Sequence, residues 1–336
     1  MSRRYQLLDF GNGRKLESLA GRVVDRPCPA ADNIPPHNRS LWRNPDSYFD
    51  LDSKTWTHRT PWPEQLHVEI PKARQTSSPE PASNSSTENV LLRVPVQPTP
   101  FGHIGIFPEQ IGNWRWLHRT APDADSIMRL KSGQALNLFA YTGASTMTIA
   151  GDGMKVAHVD AAKPNVEAAK RVAVANGLED APIRYLVDDA AAFVQREIRR
   201  GNRYHTIVLD PPAYGHGPKS KRAPRSSEKN RSPGKRPARQ AKAWRIQRDL
   251  PLLLENCFDL ISGKSFRILV TGHSAEMDES DVRQWMRRKL ANSRLGRMQP
   301  QLKTGRMTLT DLEGRKLDAG FYVRCWKEET EQLATN

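Results

Sequence analysis

The sequence predicts an α/β fold: a doubly wound, Rossmann-like parallel sheet with a small β-rich amino-terminal region in front of it. Three observations predict it. From Gln134 onward, apolar runs of strand length alternate with helix-length segments. Those runs close, one after another, on residues suited to the ligand crevice at the carboxyl edge of such a sheet. A low-complexity stretch separates this pattern from a shorter segment with strand-type signals only. At 336 residues the chain has room for one large α/β domain and a smaller attachment.

In the amino-terminal region, residues 1–70, YQLLDF and GRVVDR read as two short strands around the turn-forming GNGRK, followed by a stretch with Trp42, Trp56 and Trp62. Residues 71–89, PKARQTSSPEPASNSSTEN, have linker composition and mark either a domain boundary or an insertion in a loop. The main domain then runs over 90–336. QALNLFA is its first strand and STMTIAG its first helix. KVAHVD is the second strand, followed by the amphipathic helix PNVEAAKRVAVANGL, with Pro164 near its start and Gly177 at its end. IRYLVDD, the helix AAAFVQREIRRG and YHTIVLD complete four strands. A helix (LPLLLENCFDLI), a strand (FRILVTG), a helix (DVRQWMRRKL) and a terminal hairpin (MTLTDLEGRKLDAGFYVRCW) extend the pattern.

Composition narrows the function class. The mean hydropathy of −0.69 is polar for a compact enzyme, so part of the length is expected outside any core. No run approaches the ~18 apolar residues of a membrane helix, and the chain reads as soluble and cytoplasmic, with no membrane partner. Cys28, Cys257 and Cys325 are odd in number and widely spaced, which supports neither a disulfide framework nor a metal site. Of the net charge of +15, most is local: residues 219–245 hold eleven Lys or Arg against the single acid Glu228, a net +10. Rich in Pro and Ser and without apolar periodicity, this segment is expected to be a disordered basic insertion whose natural partner is a polyanion.

The strand ends carry the chemistry. The first strand runs into Phe139-Ala-Tyr141-Thr142-Gly143, where glycine lets the chain turn tightly and backbone groups approach a ligand. The second ends in Asp160, about twenty residues on, where a carboxylate accepts from ribose hydroxyls. The third ends in Asp188 and Asp189. The fourth ends in Asp210-Pro211-Pro212-Ala213-Tyr214, where two prolines stiffen the loop and turn the aromatic toward the cleft. The first strand lacks the three-glycine pattern that pyrophosphate binding wants, which disfavours a NAD dehydrogenase.

Taken together, LNLFAYTGAST, VDAAKPNVEAAKRVAVANGL, LVDDAAAF, LDPPAYG and the preceding FGHIGIFPEQ resemble class I methyltransferases, and more closely the ribosomal RNA large-subunit methyltransferase I family and its relatives. The resemblance covers about Phe101 to Trp326. It implies S-adenosyl-L-methionine as cofactor, with contacts from Phe139, Tyr141, Thr142 and Gly143, ribose contact from Asp160, and adenine-side contacts from Asp188 and Asp189. It also implies an acceptor side built on Asp210, Pro211, Pro212 and Tyr214, and it lays Pro108 to Gln110 against the cofactor.

One departure is informative. Methylation at carbon 5 of cytosine needs a thiolate, placed at the end of the fourth or fifth strand in enzymes of that kind. Here those ends read Pro212-Ala213 and Thr271-Gly272-His273-Ser274, without cysteine, so carbon-5 chemistry is disfavoured and His273 is a candidate base. An RNA methyltransferase, with the 219–245 insertion capturing RNA, accounts for motifs and charge together. A methyltransferase for a small molecule or protein accounts for the motifs alone, and a nucleotide- or nucleic-acid-binding protein without transferase activity is the third reading.

Overall fold

The structure, a computed structural model, describes residues 3–72, 89–129, 135–213, 244–261, 263–273, 277–291 and 293–328. Two-residue turns at Asn12-Gly13 and Ala20-Gly21, all four residues at positive φ, fold the amino terminus into a meander of β1 (Tyr5–Gly11), β2 (Arg14–Leu19) and β3 (Arg22–Pro27). The sequence pattern predicts two strands here and the structure has three. The reversal is confined to Asn12-Gly13, so Arg14 already pairs with Gly11 and the stretch read as turn is strand β2. β4 (Ser47–Asp50) pairs in parallel with β3, and β5 (Thr55–His58) completes a five-stranded sheet.

β6 (His67–Pro71) and β7 (Val90–Pro95) form an antiparallel pair. The low-complexity residues 73–88 connect them in sequence and lie outside the described residues. After α1 (Ile111–Arg119) and α2 (Ala124–Arg129), the main sheet begins. In chain order it comprises β8 (Ala135–Leu138), α3 (Ala144–Gly151), β9 (Val156–Asp160), α4 (Lys163–Ala175), β10 (Ile183–Val187), α5 (Ala190–Arg199) and β11 (Thr206–Leu209). It continues with α6 (Ile246–Asp259), β12 (Phe266–Gly272), α7 (Glu279–Ala291), α8 (Arg294–Arg297), β13 (Gln301–Thr310) and β14 (Lys316–Lys327). α6 starts four residues before the sequence pattern suggests. Asp249 accepts from the Arg245 N–H at 2.8 Å at its start, and Pro251 is tolerated in the second turn.

The spatial order is β10-β9-β8-β11-β12-β14-β13, parallel from β10 to β12 and antiparallel in the last two strands. β8 is the turning point: the chain winds from it to β9 and β10, then returns to its other side at β11. Connections leaving β8 and β11 therefore diverge and open a crevice at their carboxyl ends. α1, α3 and α4 pack together, as do α5, α6 and α7. The amino-terminal sheet shares these cores. Leu19 and Val24 are buried in one cluster with Val68, Leu92, Met147 and Val172, and Leu7 and Phe10 in another with Leu309 and Leu317. Among the described residues, no helix is long and apolar enough to cross a membrane and no group of ligands could hold a metal ion.

Candidate active site

The loop from β8 to α3 has an unusual backbone. Phe139, Tyr141 and Gly143 all adopt positive φ, at 56°, 49° and 84°. For the two non-glycine residues this costs of order 1–3 kcal/mol each and persists only where the surroundings impose it. They do: the Ala140 N–H donates to Val159 O at 3.1 Å, and the Tyr141 N–H to Asp160 Oδ2 at 2.8 Å. A Cβ on Gly143 would come 3.0 Å from Ala169 Cβ and 3.3 Å from His158 Cε1, so close packing as well as dihedral angle demands glycine. Thr142 donates its hydroxyl to Gly105 O at 2.8 Å, and the rings of Tyr141 and Phe107 lie 5.2 Å apart. The loop is thereby bound to FGHIGIFPEQ. Among the described residues no side chain caps α3 at its amino end.

Asp160 is 8% exposed. Its Oδ1 accepts from the Ala162 N–H at 2.9 Å and from Asn165 Nδ2 at 3.0 Å, whereas Oδ2 receives the Tyr141 N–H. The next strand end divides its acids. Asp188 pairs with Arg196 and accepts the Asp189 N–H at 2.9 Å, while Asp189 is the N-cap of α5, accepting from the Ala192 N–H at 2.8 Å.

Across the crevice, Asp210 follows β11. Its Oδ1 accepts from Thr271 Oγ1 at 2.6 Å and its Oδ2 from Gln110 Nε2 at 3.1 Å. Pro211 is buried and Pro212 exposed. Trp244 donates its indole N–H to Pro212 O at 2.9 Å and packs 5.0 Å from the Phe139 ring, and the Ile246 N–H meets Ala213 O at 3.2 Å. The two ends of the intervening segment thus meet beside the β8 loop. That segment, residues 214–243, lies outside the described residues, and with it Tyr214 and nearly all of the basic insertion.

Cys257 is buried in α6 and Cys325 in β14, and Cys28 is half-buried before a turn of the amino-terminal region. Burial pushes the Cys325 thiol up to about 12 and the Cys257 thiol well above the ordinary range. His273 is exposed, its ring over Gly320 of β14.

The SAM-dependent methyltransferase of Agrobacterium tumefaciens has this architecture along nearly its whole length: 28% sequence identity, a TM-score of 0.72, and coverage of 96% of this chain and 89% of that one. This is the fold of a class I S-adenosylmethionine-dependent methyltransferase. The same methyltransferase fold recurs in SMU.776, crystallised with S-adenosylhomocysteine, at a TM-score of 0.63 and 15% identity over 97% of this chain and 76% of that one. Among curated proteins, those named ribosomal RNA large subunit methyltransferase I from Alteromonas mediterranea and Tolumonas auensis match at 29% and 32% identity over 85 residues. The match spans 25% of this chain and 21% of the length of each of those relatives. No known family's sequence profile matches the chain.

Within this methyltransferase fold the cofactor half of the crevice fits the group it would hold. Helix α3 starts at the β8 edge without a side-chain cap from the described residues, and among those residues Asp160 Oδ2 receives one donor, the Tyr141 N–H, of the two a carboxylate oxygen can accept. Nothing in the sequence pairs Thr271 and Gln110 with Asp210. Thr271 is only a polar residue inside an apolar strand, and Gln110 is separated from it by 161 positions, so the signal was a buried hydroxyl in FRILVTG without an evident partner.

Proposed function

We propose that the chain is an S-adenosylmethionine-dependent methyltransferase acting on RNA, ribosomal RNA above all. The observation that carries this reading is the β8–α3 loop, held left-handed at Phe139 and Tyr141 by Asp160 and facing Asp210 across the switch point of the sheet. When bound, the cofactor supplies a sulfonium methyl that is already electrophilic, so the protein's task is alignment. Phe139, Tyr141, Thr142 and Gly143 shape its seat, Asp160 Oδ2 receives a ribose hydroxyl, and Asp188 and Asp189 border the adenine. Asp210, with Pro211 and Pro212 stiffening the loop, holds the acceptor by its donor hydrogen, and Tyr214 stacks on the base.

The mechanism needs no cysteine. Thiolate addition requires an accessible thiol of low pKa, whereas the thiols of Cys257 and Cys325 are buried and raised, and Cys28 belongs to the amino-terminal region. RNA is favoured as partner by the +10 charge of residues 219–245, which follow the Asp210 loop in sequence and return to it at Trp244, bonded to Pro212 O, and by the names of the curated relatives.

Calorimetric titration with S-adenosylhomocysteine, NAD and ATP tests the cofactor: heat with the first alone is expected, and saturation by either of the others instead would reject it. Mass spectrometry of ribosomal RNA nucleosides from a deletion strain tests the substrate. One methylated nucleoside should vanish and return on complementation; a full complement in the deletion strain would turn the reading to a small-molecule or protein acceptor.

A further inference from the structure

Behind Asp210 stands a line of buried polar side chains that ends on a cation. Arg324 of β14 directs Nη2 and Nε at Asn113 Oδ1, at 2.6 and 3.2 Å, and Nη2 also reaches Gly112 O at 3.0 Å. Its guanidinium lies 4.1 Å from the Tyr322 ring centroid and 5.0 Å from that of Trp116. Asn113 of α1 passes Nδ2 to Gln110 Oε1 at 2.7 Å, and Gln110 Nε2 faces both Asp210 Oδ2 at 3.1 Å and Thr271 Oγ1 at 3.2 Å. Gln110, Asn113, Thr271 and Arg324 are 6%, 1%, 1% and 8% exposed.

The direction of every bond follows from one end. A guanidinium only donates, so the Asn113 oxygen must face Arg324 and its NH2 must face Gln110. The Gln110 oxygen is thereby consumed, and its NH2 is what remains for Asp210 and Thr271. Thr271 accepts from Gln110, which leaves its own hydroxyl hydrogen for Asp210 Oδ1 at 2.6 Å. Neither amide can flip without setting donor against donor in a site closed to water. Among the described residues each oxygen of Asp210 therefore carries one protein donor, and rotation of the carboxylate would break both bonds.

We infer that Gln110 and Arg324 are positioning residues: the Arg324–Asn113–Gln110 line, with Thr271, sets the plane of the Asp210 carboxylate so that its remaining lone pairs meet the hydrogen of the acceptor. The inference rests on the reading of Asp210 as the acceptor-side residue. It assigns work to Asn113 of α1, Thr271 of β12 and Arg324 of β14, none of them a predicted cofactor contact, and to the Gln110 side chain, whose amide is taken up by Asn113, Asp210 and Thr271.

The test uses the full chain with Gln110→Leu, Gln110→Glu and Thr271→Val. Affinity for S-adenosylhomocysteine is measured by calorimetry, and transfer of labelled methyl from S-adenosylmethionine is measured on total RNA of the deletion strain, from pH 5.5 to 8.5. Although the resemblance lays Pro108 to Gln110 against the cofactor, the Gln110 amide is spent on Asn113, Asp210 and Thr271, so cofactor affinity should stay within about twofold. Gln110→Leu and Thr271→Val should lower kcat about 10²-fold at unchanged KM for S-adenosylmethionine, the scale expected when a reacting group is misplaced by about 1 Å. Gln110→Glu sets two carboxylates together, which then share a proton as pH falls, restoring the donor. That variant should be inactive at pH 8 and recover toward pH 5.5, a response not expected of the wild type and one that a merely structural role would not produce. Wild-type turnover in the variants at unchanged cofactor affinity, or loss of cofactor binding in them, would overturn the positioning role and leave the methyltransferase reading intact. Cofactor binding without any transfer to RNA by the wild type would overturn the RNA reading, and this inference with it.

Discussion

Left-handed backbone at Phe139 and Tyr141 is held by the carboxylate at the end of the neighbouring strand, so Asp160 serves two ends at once. Asp160→Ala should weaken S-adenosylhomocysteine binding by at least ~1.5 kcal/mol, the loss expected when charge-assisted hydrogen bonds are removed. Asn165→Ala, which strips a donor from Oδ1 only, should cost less. Unchanged calorimetric affinity in folded Asp160→Ala would remove this residue from the site. Beneath the same loop His158 is wholly buried, with Nδ1 3.0 Å from Thr146 Oγ1, and burial pushes it down to about 4. A histidine held neutral in the fold and free to protonate near 6.5 when unfolded contributes stability that is complete above about pH 6.5. That stability is lost as pH falls toward 4. Urea titrations at pH 7.5 and 4.5 should differ by a few kcal/mol, up to about 3 from His158 alone at 1.36 per pH unit, and His158→Gln should reduce the difference, leaving the part due to His205, which burial likewise pushes down to about 3. An equally steep pH dependence in that variant would assign the acid sensitivity elsewhere.

At the scale of elements, the strand ends were legible in the sequence because a parallel strand covered on both faces is predominantly apolar. The acid that closes such a run, Asp160 as the last residue of β9 and Asp210 directly after β11, therefore announces the carboxyl edge. β2 was not legible, since Arg14–Leu19 mixes charged and apolar residues, and Lys15 and Glu17 are buried as an ion pair at 3.0 Å that only tertiary packing explains. The insertion after the Asp210 loop belongs to this scale too. Deleting Ser220 to Ala241 should leave cofactor affinity unchanged, because the proposed cofactor contacts lie on the β8, β9 and β10 ends. RNA affinity should fall, and the slope of log affinity against log salt should become shallower by roughly 0.7 for each single-strand phosphate that is no longer neutralised. Identical slopes for both proteins would mean that the insertion touches no phosphate. A variant with Cys28, Cys257 and Cys325 all replaced by Ser or Ala should keep methyl transfer apart from packing losses at the two buried sites. Abolished turnover with intact cofactor binding would point to covalent catalysis and revive carbon-5 methylation.

Over the whole molecule, the amino-terminal sheet is joined to the methyltransferase fold by shared cores and by Arg315, whose guanidinium in the β13–β14 hairpin reaches Asp9 and Phe10 O of β1 and lies 4.3 Å from the Phe10 ring centroid. Units that share a core unfold together. Scanning calorimetry should show one transition, and a chain beginning at His67, with Val68, Leu92 and Val172 stripped of Leu19 and Val24, should be markedly less stable. Two separated transitions in the full chain would make the amino-terminal sheet an independent domain.

The periodic part of the protein is written in the chain itself: alternating strands and helices, the acids and glycine where strands end, and the location of the charge. Those are local properties, since each is contained within one run of residues and follows from burial of that run. Which distant groups meet is settled only in three dimensions. Asn113 and Arg324 are 211 positions apart and Gln110 and Asp210 are 100 apart, and no periodicity along the chain relates them. They meet because α1 packs where β11, β12 and β14 lie side by side, and a buried polar side chain takes whichever partner that packing brings within reach.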